Sequence, residues 1–340
     1  MKAKIVIIAV ASAYGEQGGA ERFYQGVQKS LCEAGVDAEI LPVVSDESNF
    51  DTIKESYLRF YDLDLSNYDG VISTKAPAYV VRHPNHICYL QHTMRVFYDM
   101  FELEFPNASI ELQSQRSLIH QIDTAALNRN EVRAIFTISH EVKSRLLYFN
   151  NLDSEVLYQA TTMRGFINRS YKYLFMPGRL HRWKRVDLII QSMQHVTAPV
   201  ELLISGTGED EESFKALSAA DPRIRFLGRI TDDELLAYYA DALAVPFVPI
   251  KEDFGLVTLE AFHSNKPVIT CQDSGEPARL VKNGQSGYVC KPDPMEIAQR
   301  IDYLANNPEE AATMGRCGRD TVKDISWGNV AKRLLRALDL

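Results

Sequence analysis

Apolar and polar positions fall into two alternating patterns along almost the whole chain. Short apolar runs, "KIVIIAV" (4–10), "DAEILPVV" (37–44), "YDGVIST" (68–74), "HICYLQ" (86–91) and "AIFTIS" (134–139), read as buried strands. Between the first two, residues 18–35 carry Phe23, Val27 and Leu31 at helical spacing, with Gly35 placed to end the helix. After "SEVLYQA" (154–160) the alternation starts again. Strands are predicted at 171–178, 200–206, 224–229, 243–249 and 266–270, and helices at 185–193, 210–220, 231–242 and 254–262. Strands alternating with helices mean βαβ units and parallel sheets. Two such series in succession predict two doubly wound domains joined near residues 160–172, with ligands at the carboxyl ends of the strands and a cleft between the sheets. The last stretch, "WGNVAKRLLRALDL" (327–340), predicts a short amphipathic helix with Val330, Leu334, Leu335 and Leu338 on one side.

The length of 340 residues agrees with two domains. A net charge of −8 speaks against a general nucleic-acid binder, which would show a basic face. No apolar run approaches the ~20 residues of a membrane span. The start, with Lys2 and Lys4 ahead of an apolar stretch, has the outline of a signal peptide. Its β-branched core and the glycine-bearing turn after it fit a first buried strand better. Lys332, Arg333 and Arg336 would suit a membrane surface, but packing of the last helix on another domain is the reading adopted. The five cysteines (Cys32, Cys88, Cys271, Cys290, Cys317) show no CxxC pair and no zinc-ligand spacing. They read as small core fillers in a reducing, cytoplasmic setting.

Candidate chemistry gathers in a few stretches. In "EDFGLVTLE" (252–260), Glu252 and Glu260 bracket a glycine and an apolar helix start. Gly255 permits a close approach of backbone to ligand, and a helix start offers free N–H groups to an anion. A carboxylate near such a start can accept hydrogen bonds from a ribose diol, and one in the loop ahead can do the same for a second polyol. An amphipathic core helix with two solvated ends explains the same residues. In "PGRLHRWKRVDLII" (177–190), Arg179 and Lys184 follow a strand and are placed to neutralise a diphosphate, while Arg182 and Arg185 read as a solvated basic loop. "GEQGGAERF" (15–23) brings Gly18 and Gly19 to a helix start without forming a P-loop or a complete GxGxxG. "SGTGED" (205–210) reads as a strand-to-helix turn. Asp62 and Asp64, in "DLD", have the look of a metal-binding acidic pair, but a solvated helix end explains them with less.

Together these stretches resemble the retaining glycosyltransferases of glycosyltransferase family 4. The carriers are "GGAER" (18–22), "GRLHRWKRVDLII" (178–190), "SGTGE" (205–209), "FLGRI" (226–230), "EDFGLVTLEAFHSNKPVI" (252–269) and "NGQSGYV" (283–289), in order over most of the chain. The resemblance implies an α/β GT-B fold of two doubly wound Rossmann-like domains facing a central cleft. Residues 1–165 would bind the acceptor, 166–322 the nucleotide-sugar, and the helix in 323–340 would return to the first domain. It implies that Glu252 and Glu260 contact donor sugar and ribose, that Arg179 and Lys184 hold the diphosphate, and that Gly19 supplies the glycine-loop contact. Phe254, Gly255, Leu256 and Val257 at the helix start count among the donor contacts, as does the backbone near Arg229 and Ile230. "YLQHTMRVFYD" (89–99) resembles the histidine stretch of WbaZ-like bacterial mannosyltransferases, which places His92 near the donor sugar; a satisfied core histidine is the alternative. The proline usual after the threonine is absent. Arg185 stands where the family commonly has glycine, and Glu276 and Arg279 stand where a second glycine and an acidic residue are usual.

The activity implied is transfer of a hexosyl unit from a UDP- or GDP-sugar to a saccharide or lipid-linked saccharide, with retention and without a metal or other cofactor. Polysaccharide biosynthesis in the cytoplasm is the setting expected, and a lipid-linked acceptor would bring contact with the inner face of the cytoplasmic membrane. Tyr79, Tyr89, Phe97 and Tyr98 are expected to stack on acceptor sugar faces. Three rivals stay open: a non-catalytic nucleotide-binding partner subunit, an NAD-dependent oxidoreductase and a metal-dependent transferase.

Overall fold

Uninterrupted apolar runs become strands covered on both faces. In the computed structural model, which describes residues 2–12 and 19–340, Ile5 to Ile8 of the first strand are fully buried. The chain divides into two units, Met1–Thr162 with Ile325–Leu340, and Met163–Asp324.

The first unit runs β1 (Lys4–Ser12), α1 (Gly19–Glu33), β2 (Asp37–Ser45), α2 (Phe50–Tyr61), β3 (Gly70–Ser73), β4 (His86–Leu90), α3 (Phe101–Glu104), α4 (Ile110–Leu127), β5 (Val132–Thr137), α5 (His140–Asn150) and β6 (Glu155–Val156). Its six strands lie in the order β2-β1-β3-β4-β5-β6, and every pair is parallel. Asn49 caps α2 in a capping box with Thr52. Asp62 and Asp64 follow as that helix ends: Asp62 is its C-cap, and Asp64 accepts the backbone N–H of Ser66.

The second unit runs β7 (Tyr173–Pro177), α6 (Val186–Met193), β8 (Leu202–Ser205), α7 (Glu211–Ser218), β9 (Ile224–Gly228), α8 (Asp232–Asp241), β10 (Ala242–Pro246), α9 (Leu256–His263), β11 (Val268–Cys271), α10 (Glu276–Leu280), β12 (Gly287–Cys290), α11 (Pro294–Asn306) and α12 (Pro308–Val322). Its parallel sheet has the order β12-β11-β10-β7-β8-β9. The order reverses between β7 and β10. In a doubly wound sheet that reversal opens a crevice at the strands' carboxyl ends. β12, whose "GYVC" follows the glycine-bearing "NGQS" turn, is a strand beyond those expected.

α13 (Trp327–Ala337) belongs to the first unit and packs on α1. A Cβ added at Gly26 of α1 would fall 2.3 Å from the Trp327 ring, so the two helices are in close contact there. Val330, Leu334 and Leu338 are buried, and Arg333 pairs with Glu155. The apolar side that a membrane surface would need is therefore taken up within the unit. Among the described residues no helix is long and apolar enough to cross a membrane.

Two expectations are corrected. Cys88, Cys271 and Cys290 are core fillers, but Cys32 and Cys317 are exposed. Tyr79, Tyr89, Phe97 and Tyr98 are buried, at most 6% exposed, so they do not form a sugar-stacking surface. They are core aromatics, and three of their neighbours explain why. Asp123, on α4 and fully buried, accepts hydrogen bonds from Tyr57 (2.5 Å) and Tyr98 (2.7 Å), while Tyr89 donates to Leu157 O. Asn150 donates to the Tyr98 hydroxyl and to Thr124 Oγ1. Burial pushes the Asp123 carboxyl up to about 6, against the lowering effect of the phenol donors.

This aspartate makes stability depend on pH. An unfolded-chain aspartate titrates at about 3.9, so as pH rises the unfolded chain releases this proton before the folded one does. The contribution is present in full below about pH 4 and is lost as pH climbs to about 6. Urea unfolding of wild type and Asp123→Asn between pH 4.5 and 7 is expected to show wild type losing ~1–3 kcal/mol relative to the variant. A constant difference would contradict the assignment.

Candidate active site

At the reversal in the second sheet, the loop leaving β7 meets the loop leaving β10. The first contains Gly178, Arg179, a short 3-10 turn over Arg182–Lys184, and Arg185. The second contains Lys251, Glu252 and the start of α9. Lys184 Nζ donates to Glu252 Oε2 at 2.5 Å, and Ile250 N donates to Trp183 O at 2.8 Å. Lys184 and Glu252 are both mostly buried, with side chains 27% and 18% exposed. Arg179 presents its guanidinium edge to Glu209, with contacts of 3.2 and 2.9 Å, and both side chains are about half exposed. Glu209 lies in the turn between β8 and α7. Burial alone would push its carboxyl up, but its own backbone N–H and Arg179 outweigh that, and its pKa lies below the usual value. In the sequence Glu209 stands out only as the last residue of "SGTGE".

Glu252 is also tied through its backbone. Its N–H donates to Ser274 O, and its carbonyl accepts from Glu276 N, both at 3.0 Å. Gly275 is the condition for this contact: a Cβ there, at φ +73°, would fall 2.5 Å from Glu252 O. Gly255 caps α9 at φ +76°. It is buried with Phe254, whereas Leu256 and Val257 are half-buried. Glu260 lies within α9 and is 6% exposed, with Oε2 accepting from the Tyr239 hydroxyl at 2.9 Å. Burial, then the Glu260 charge, hold that phenol well above its usual pKa. Neither glutamate of "EDFGLVTLE" is therefore a solvated helix end.

Arg229 and Ile230 follow β9, the first exposed and the second half-buried. The remaining candidates lie in the first unit. His92 follows β4, is half-buried, and its Nδ1 is 2.9 Å from Thr93 O. His86 is a core histidine of this unit, fully buried against Ser73 Oγ at 2.7 Å, with burial holding its pKa down at about 3. Gly19 opens α1, and Gly18 lies outside the described residues. Arg182 is exposed, as expected of a basic loop, but Arg185 is not: its side chain is 13% exposed and pairs with Asp273 at both carboxylate oxygens. A lysine and a carboxylate in contact at the crevice, with Arg179 on the same loop as the lysine and an apolar helix starting just after Gly255, are groups whose chemistry suits an anionic, hydroxyl-rich ligand.

Two parallel six-stranded sheets with flanking helices give the fold of the GT-B glycosyltransferases. Over residues 162–321 the chain matches the family model described as Glycosyl transferases group 1. Human alpha-1,3/1,6-mannosyltransferase ALG2 is 25% identical over 228 residues, covering 61% of this chain and 54% of the relative. The chain thus spans about half the length of the curated relatives it matches. Sucrose-phosphate synthase from Thermosynechococcus elongatus superposes with a TM-score of 0.77 at 17% identity, over 98% of both chains. Anabaena HepE, solved with UDP and glucose, gives 0.70 at 16% identity, over 99% of both chains.

Gly255 provides a direct check on the site's backbone. A Cβ there would lie 2.6 Å from Phe247 Cε1 at a φ that side chains avoid. Gly255→Ala is expected to cost the second unit about 1–3 kcal/mol, read as a lower urea midpoint. An unchanged midpoint would contradict the geometry.

Proposed function

We propose that the protein is a retaining glycosyltransferase that moves a hexosyl unit from a UDP- or GDP-sugar to a saccharide or lipid-linked saccharide acceptor in glycan biosynthesis, without a metal. The observation that carries this reading is the Lys184–Glu252 contact at the strand-order reversal of the second sheet, with Arg179 on the same loop as Lys184. The match to Glycosyl transferases group 1 covers all three residues. A fold neighbour solved with UDP and glucose supports a nucleoside diphosphate sugar as donor.

The chemistry follows from where charge develops. As the bond from the anomeric carbon to the diphosphate breaks, negative charge gathers on the phosphate oxygens and the sugar becomes oxocarbenium-like. Arg179, Lys184 and the N–H groups at the start of α9 stabilise that charge, and electrostatic stabilisation of this kind commonly contributes most to such catalysis. When Lys184 turns to the diphosphate, Glu252 is released to accept hydrogen bonds from the sugar hydroxyls, and Glu260 does the same for the ribose. Arg229 and Ile230 offer backbone contacts to the base. The acceptor oxygen bonds the anomeric carbon on the face that the diphosphate leaves, and its proton passes to a departing phosphate oxygen. No protein nucleophile is assigned. Gly19 is retained as a donor contact, and His92, from the stretch that resembles mannosyltransferases, as a group that assists transfer.

Transfer is measured by NMR with UDP- and GDP-hexoses in EDTA, following the anomeric proton of the product. The expected product retains the donor's configuration, and Lys184→Ala lowers kcat/KM by about 100-fold or more. An inverted product, or turnover that needs manganese, would contradict the proposal.

A further inference from the structure

Arg185 occupies an unexpected position for an arginine. Its φ of +51° is in the left-handed region that favours glycine, and it stands directly before α6. A residue in that conformation is held by the structure around it, and here the side chain makes most of the contacts. Its Nε donates to Val248 O at 2.6 Å, and Nη2 to Pro249 O at 3.0 Å. Nη1 and Nη2 reach the two carboxylate oxygens of Asp273 at 2.9 and 2.7 Å. One planar guanidinium therefore fastens the loop after β7 to the loops after β10 and β11.

Those are the loops that hold Glu252. Residues 250–252 donate in turn to Trp183 O, Asp273 O and Ser274 O, one acceptor from the first loop and two from the third. Lys184, one residue before Arg185, meets Glu252 itself. We propose that Arg185 is a positioning residue: by clamping Val248, Pro249 and Asp273 it holds the Glu252 carboxylate where a bound sugar needs it. The inference rests on the donor-site reading of Glu252. A lysine is no substitute, because a single ammonium cannot span two carbonyls and a carboxylate in the fixed geometry of the guanidinium fork.

Arg185→Gly is the informative variant, because glycine suits the backbone at φ +51° and the fold is kept. Amide hydrogen exchange, calorimetric binding of UDP and GDP, and transfer kinetics are measured on the full chain. The clamp predicts at least tenfold faster exchange at the amides of Ile250, Lys251 and Glu252. It predicts nucleoside diphosphate affinity within threefold of wild type, because Arg179 and Lys184 remain, and kcat lowered by tenfold or more. Asp273→Ala should reproduce the kcat loss, and the double variant should lose little more, as expected of partners in one interaction. Arg185→Lys should recover only part of it.

Unchanged exchange in Arg185→Gly would overturn the proposal whatever the activity. So would normal kcat, or a loss shared equally between kcat and diphosphate binding with a lowered melting point, which would mark a merely structural role. Faster exchange in a protein whose wild type binds no diphosphate and transfers no sugar would leave the clamp standing as a structural fact and overturn both the donor-site reading and the positioning role.

Discussion

One ion pair joins the two loops on which the candidate site depends. Lys184 leaves β7 and Glu252 leaves β10, the strands on either side of the reversal in the second sheet, and their charged ends are 2.5 Å apart. Taking both charges largely out of water costs about as much as their attraction returns, so the pair adds little to stability. Its consequence is placement. A cation and a carboxylate stay in contact at the carboxyl ends of the strands, where a ligand with phosphates can claim the one and a ligand with hydroxyls the other. Removing either partner strands the second in a poorly solvated place, so each constrains the other. The fold supplies the rest: β7 and β10 are adjacent because a right-handed series of βαβ units turns back there, and Gly255 and Gly275 let the loops close to backbone contact.

The two glutamates of "EDFGLVTLE" are held in different ways. Glu252 is anchored by its backbone between Ser274 and Glu276 and by its side chain at Lys184. Glu260 is packed within the unit and takes a hydrogen bond from the buried Tyr239. The first can exchange its partner for a ligand by a side-chain rotation. The second is oriented from behind by a phenol that burial keeps protonated. On the proposed reading, such a difference suits a carboxylate that must adapt to a sugar beside one that sits at a fixed distance from a helix start.

Much of the architecture was legible in the sequence because parallel sheets covered on both faces require unbroken apolar runs, and β1, β7 and β10 are such runs. The motif around Glu252 was legible for a related reason: a glycine at a helix start after a buried strand leaves a recognisable local pattern. What stayed hidden depends on distant partners. Asp123 lies 66 and 25 residues from the phenols it accepts from, and nothing in its own stretch distinguishes it from a solvated helix position. The same holds for Tyr79, Tyr89, Phe97 and Tyr98, whose type fits a sugar platform and a core equally well. Arg185 has the sequence signature of a solvated cation because its acceptors, Val248, Pro249 and Asp273, are more than sixty residues away.

The most direct measurement is calorimetric binding of UDP and GDP in EDTA to wild type, Lys184→Ala and Glu252→Gln. If the ion pair is a diphosphate and sugar site, one nucleotide binds wild type, Lys184→Ala loses at least tenfold in affinity for it, and Glu252→Gln binds it as tightly or more tightly because Lys184 is released. Lys184→Ala binding the nucleotide as tightly as wild type, or wild type binding neither nucleotide, would contradict the account.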